Sequence, residues 1–164
     1  MTIKNIITNT FLLIIISVSQ VFGQNSKNQA SLSKNAPKDN PTAIYQNEQK
    51  KFDKQIAPYV KKARETLLYA KNKFLSGLSK GEGFFLTIRL FDRDGEWEQV
   101  FIRVTKWSNN KISGYIDSDL GRLKEYKTLQ NVDFNESDIL DWLFTKPDGS
   151  EEGNYVGKYL DTLH

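Results

Sequence analysis

Between Phe84 and Val104 two apolar-rich runs flank an Asp-Gly pair, and their spacing leaves the chain little choice of pairing. The first run is Phe84-Phe85-Leu86-Thr87-Ile88-Arg89-Leu90-Phe91; after Asp92-Arg93-Asp94-Gly95 comes Glu96-Trp97-Glu98-Gln99-Val100-Phe101-Ile102-Arg103-Val104. β-Branched and aromatic residues on both sides of Asp-Gly are a hairpin signal. A three-residue loop of Arg93, Asp94 and Gly95 puts the glycine at the left-handed position that closes a type I turn with a bulge. In that register Phe84, Leu86, Ile88 and Leu90 share a face with Val100, Ile102 and Val104. A slip of one residue mixes this set with Gln99 and Arg103. Pattern and turn chemistry therefore select the same pairing.

Around the hairpin the spacing predicts a helix over Pro58–Ser76, because Val60, Ala63, Leu67, Ala70 or Lys71, Phe74 and Leu78 recur at three- and four-residue steps and Pro58 suits a first helical turn. Gly77, Gly81 and Gly83 end it. Beyond Val104, Ser108-Asn109-Asn110-Lys111 reads as a turn and Ile112–Asp117 as a strand, with Gly114 marking a bulge or a close backbone approach. A helical turn is expected at Asp119–Tyr126, a strand at Thr128–Phe134, and another at Ile139–Phe144, closed by Lys146-Pro147-Asp148-Gly149. Val156, Tyr159, Leu160 and Leu163 suggest a last short helix. The expected fold is α+β: a bent antiparallel sheet or small SH3-like barrel of four to five strands with one N-terminal packing helix.

Ahead of the domain, Lys4 and the apolar run Phe11–Val18, followed by Val21-Phe22-Gly23, have the form of a signal peptide over residues 1–23, cleaved before Gln24. The run is shorter than the ~20 apolar residues that span a bilayer, so no membrane association is expected after cleavage; a retained signal anchor is the alternative. Residues 24–56 read as a flexible leader or tether, poor in large apolar side chains through Thr42 and weakly helical beyond Ala43. The expected address is the periplasm or the outside of the cell. With no cysteine, the exported fold has no disulfides and must stand on its hydrophobic core.

The same composition narrows the chemistry. One histidine, His164 at the end of the sequence, and no cysteine exclude thiol catalysis, Ser-His-Asp catalysis and Cys/His zinc sites. No phosphate-binding glycine loop occurs, and no cofactor or metal is expected. Asp92, Asp94 and Glu96 lack the distal glutamate of a calcium loop and read as turn chemistry. The net charge of +3 is interleaved along the chain, which gives no nucleic-acid footprint. Among carboxylates, Glu98, Asp138 and Asp141 are the candidates for an acid/base pair. The structural alternative has Asp141 accepting main-chain N–H bonds and Glu98 lying beside Arg89 or Arg103.

The second hairpin face alternates Phe85, Phe91, Trp97 and Phe101 with Thr87, Arg89, Gln99 and Arg103. Either a helix covers its apolar part while the arginine stems lie along it, or it is an aromatic-rimmed recognition surface. A domain this small needs both sheet faces for stability, which favours cover. The candidate binding residues are Arg89, Trp97, Phe101 and Arg103 there, and Asp141, Trp142, Asn154 and Tyr155 further on.

From Ala63 onward the chain resembles domain of unknown function 2314, typified by the YegJ-like bacterial proteins. The resemblance rests on Ala63-Arg64-Glu65-Thr66-Leu67, on Glu98 and Gly114, on Ile139-Leu140-Asp141-Trp142, and on Gly153-Asn154-Tyr155. It implies a single α+β domain over residues 57–164. It departs at Phe101, where the family often has Trp, and at Thr128-Leu129-Gln130-Asn131, where it often has a Gly-Asp turn. The family carries no established activity. The function expected of the whole is a non-catalytic module binding a protein or peptide partner, with a carboxylate-dependent hydrolase of a cell-envelope polymer as the alternative.

Overall fold

The computed structural model describes residues 46–93 and 95–163. The expected signal peptide and residues 24–45 of the expected leader lie outside the described residues, as do Asp94 and His164.

The hairpin forms in the register that its apolar alternation selects. Strands β1 (Gly83–Phe91) and β2 (Trp97–Ser108) pair Leu86 with Ile102, Ile88 with Val100 and Phe91 with Trp97. The Asp92 N–H donates to the Glu96 carbonyl at 3.0 Å, and Gly95 takes φ +80°. Strand β3 (Lys111–Ile116) returns through a turn in which Asn109 is left-handed, at φ +53°. Gly114 is indeed a close approach: a Cβ there would run into the Arg103 carbonyl and the Ile102 side chain, where β2 slips register past Thr105.

Strands β4 (Asn131–Asn135), β5 (Ile139–Thr145) and β6 (Glu151–Gly153) complete one antiparallel sheet of six strands in the order β4-β3-β2-β1-β5-β6. The sheet is open, so the barrel alternative and the count of four to five strands do not hold. Strand β6 carries no β-branched residue. It pairs because the Lys146–Ser150 turn delivers it to Leu143–Thr145, with the Lys146 N–H on the Ser150 carbonyl at 2.9 Å.

The helices differ more from expectation. Helix α1 (Gln46–Glu65) begins well before Pro58, which lies in its interior, and breaks at Thr66 before α2 (Leu67–Leu75). The single helix from Pro58 is therefore two, and Ile56, assigned to the leader, is 2% exposed. The expected helical turn at Asp119–Tyr126 is irregular chain, pinned by the Glu98 carboxylate, which accepts the N–H groups of Gly121 and Arg122. Glu98 thus does not face Arg89 or Arg103. Helix α3 (Tyr155–Asp161) closes the chain after Gly153-Asn154. Among the described residues no helix is long and apolar enough to cross a membrane.

Two apolar layers result. Ala63, Leu67 and Ala70 from α1 and α2 cover a main face with Phe84, Leu86, Ile88, Val100, Ile102, Trp107, Ile112, Trp142 and Phe144. The opposite face holds a smaller cluster of Phe85, Phe101 and Leu143.

Candidate functional site

Three of the segments that carry the family resemblance, Ala63–Leu67, Ile139–Trp142 and Gly153–Tyr155, meet at Trp142. Its indole N–H donates to the Ala63 carbonyl at 3.1 Å and to Thr66 Oγ1 at 3.0 Å, at the break between α1 and α2. Arg64 reaches the start of β5, with Nε on the Ile139 carbonyl at 3.3 Å and Nη2 on that of Ser137 at 3.0 Å. On the other side Gly153 lies against the indole so closely that a Cβ would overlap it, and takes φ +83° besides. Asn154 is left-handed and donates its N–H to the Trp142 carbonyl at 2.7 Å; Tyr155 meets the indole edge-on at 5.7 Å.

Asp141 completes this junction. Asn154 gives α3 no side-chain cap, so a carboxylate from β5 supplies one: Oδ2 accepts the Val156 N–H at 2.6 Å and Oδ1 the Trp142 N–H at 2.8 Å. Burial pushes the Asp141 carboxyl up to about 6, against the opposing pull of the N–H groups of Val156, Trp142, Tyr155 and Gly157. Four of the eight candidate residues, Asp141, Trp142, Asn154 and Tyr155, are therefore together, in a joint that fixes α1, β5 and α3.

The other four lie on the second face. Arg89 forks onto Asp53 of α1, at 2.5 and 3.3 Å, and stacks over the Trp97 ring at 4.0 Å, while Phe52 packs on Trp97 from above. Trp97 and Phe101 are buried, and Arg103 pairs with Asp117 at 2.7 Å over the Phe85 ring. The first half of α1 is thus the cover for the aromatic face.

The carboxylates do not converge. Glu98 stands opposite Leu90, on the main face, whereas Asp141 stands opposite Thr87, on the second. Asp138 closes a capping box, accepting the Asn135 N–H at 2.9 Å. Among the described residues no cluster of His, Cys, Asp or Glu is placed to hold a metal ion.

What sequence reasoning missed is a groove. Between Thr87 and Ile88 the β1–β5 register breaks, pairing Thr87 with Asp141 but Ile88 with Ile139. Leu140 is the extra residue, and a bulge of this kind re-aims a side chain. Its side chain joins Ile56, Ala57, Val60, Asp53, Lys61, Arg64 and Glu65 of α1, with Arg89, around a groove of about 690 Å³. The α1 residues fall at three- and four-residue steps, hence on one stripe. The spacing predicts a helix only from Pro58, so Asp53, Ile56 and Ala57 of that stripe fall outside it, and the bulge that supplies the opposite wall left no local signal.

An open six-stranded sheet, helices on both faces and a groove along α1 describe a small α+β domain. Residues 53–162, about two-thirds of the chain, match the model of DUF2314, an uncharacterized protein family conserved in bacteria, and the chain belongs to that family. No curated protein and no solved structure matches it.

Proposed function

We propose that the protein is an exported, non-catalytic module that binds a peptide segment of a partner protein in the α1 groove. The observation that carries the reading is the composition of that groove. It has an apolar floor of Ile56, Val60 and Leu140, with the exposed Ala57 and charged residues of both signs around it, the mix of a protein-recognition patch. Its volume lies within the range of small-ligand and side-chain pockets. The alternative, a carboxylate-dependent hydrolase, needs Glu98 and Asp141 in one cleft, and their strands present them to opposite faces.

The test uses the secreted chain, whose N-terminal sequence is expected to begin at Gln24; a retained Phe11 would instead make the protein membrane-anchored. Peptides selected against it from a random display library are expected to shift the NMR amide signals of residues 53–64 and Leu140. Peptides that shift a different surface, or a selection that yields none, would overturn the groove. Hydrolysis of peptidoglycan lost in Asp141→Asn would favour the enzyme.

A further inference from the structure

Within this groove the charges are not balanced, and the imbalance sits on one residue. The lining holds three cations, Lys61, Arg64 and Arg89, and two anions, Asp53 and Glu65. Arg89 is neutralised by Asp53 at 2.5 Å, and Lys61 lies 3.8 Å from Glu65. Arg64 spends Nε and Nη2 on two main-chain carbonyls, and among the described residues no carboxylate pairs with it. Those two bonds hold the guanidinium plane in place, so its Nη1 edge is offered with little entropy left to lose on binding.

Arg64 also lines a second hollow, of about 440 Å³, with Leu67 and the polar residues Asn110, Asn135, Glu136 and Ser137. Glu136 does not compete for the guanidinium, because Lys71 holds it at 2.5 Å and the Trp107 indole N–H at 3.1 Å. A chain crossing Arg64 therefore leaves an apolar floor, passes one uncompensated positive charge and enters a polar hollow.

We infer that the groove selects a peptide segment in which an apolar residue is followed closely by a carboxylate, and that Arg64 is the residue that reads the acid. This rests on the peptide-groove reading. The apolar side chain lies against Val60 and Leu140, and the Asp or Glu accepts from the Arg64 guanidinium, a charge-assisted bond that a neutral side chain cannot reproduce. A nucleic-acid strand is disfavoured by Asp53, Glu65 and Glu136 along the same path. A free fatty acid would match the floor and Arg64 but make no use of the polar hollow.

The experiment is a positional-scanning decapeptide library on the full secreted chain, read by fluorescence polarisation. Enrichment of Leu, Ile, Val or Phe with Asp or Glu one to three residues later is expected. Changing that Glu to Gln in the best peptide is expected to weaken binding about tenfold. Against Arg64→Gln the two peptides are expected to bind alike. The peptide substitution leaves the protein untouched, so the result stands even where loss of the Arg64 clamp disturbs β5. Apolar enrichment with no acid preference, or with a basic one, would overturn the inference and leave the groove reading standing. Binding of no peptide would overturn both, and dodecanoate that then shifts the NMR amide signals of residues 53–64 would assign the groove to an amphiphile.

Discussion

Asp141 has both carboxylate oxygens on main-chain N–H groups, yet burial raises its carboxyl to about 6 from an ordinary 3.8. Ionising it in place therefore costs on the order of 3 kcal/mol more than in the unfolded chain. The sign follows from proton binding. Between pH 4 and 6 the folded state holds a proton that the unfolded state has lost, so the contribution of Asp141 is fully present below pH 3.8, declines above it and is lost as pH rises through 6. Asp141→Asn keeps the shape but turns one N–H acceptor into a donor, leaving the N–H of Trp142 or Val156 unpaired. The variant is expected to be less stable than wild type by about 1–3 kcal/mol near pH 4, with the gap narrowing towards pH 7. Urea midpoints of both proteins across that range measure it. A gap that widens with pH would mean that a cation holds Asp141 ionised. At this scale the sequence was informative: an acid between Leu140 and Trp142 had to satisfy N–H groups, and it does, although the α3 end that provides one of them lies fifteen residues on.

Helix α1 shows where local signals stop. Pro58 has no N–H to give the Lys54 carbonyl, and a proline inside a helix costs about 3 kcal/mol, which is why residue 58 looked like a beginning. Tertiary contacts override that cost: Phe52 on Trp97, Asp53 on Arg89 and the burial of Ile56 hold the first half of α1 down. Those contacts join residues more than thirty positions apart, so no local pattern announces them. The hairpin was legible for the opposite reason, since its alternation and its Asp-Gly turn are short-range and agree. Strand β6 and the chain around Gly121 were not legible, because each is positioned by its neighbours, Leu143–Thr145 in one case and Glu98 in the other. The interrupted ladder at Pro58 also has a dynamic consequence. In hydrogen exchange, amides 50–57 are expected to be less protected than 60–65, and Asp53→Ala to widen the difference at a stability cost of about 1 kcal/mol, the scale of a partly exposed ion pair. Equal protection across Pro58 would mean that the helix opens as one piece.

Whether such an opening divides the molecule depends on how its two apolar layers are joined. Each of β1 and β2 sends alternate residues to both, Leu86 and Ile102 to the main cluster, Phe85 and Phe101 to the second. Neither layer can therefore be lost while the other keeps its strands, and with no disulfide to hold a fragment together the described domain is expected to unfold in one step. Detachment of the first half of α1 is then a rare excursion, seen by exchange but not populated at equilibrium. The three tryptophans report on this directly. Trp97 lies under α1 on the second face, and Trp107 and Trp142 belong to the main cluster, all of them 5% exposed or less. Urea unfolding followed by tryptophan fluorescence and by far-ultraviolet circular dichroism is expected to give coincident midpoints, in wild type and in Trp97→Phe alike. A fluorescence change that precedes the loss of secondary structure in wild type, and vanishes in Trp97→Phe, would show that the second face melts by itself. The α1 groove would then be lost under conditions that leave the main cluster intact.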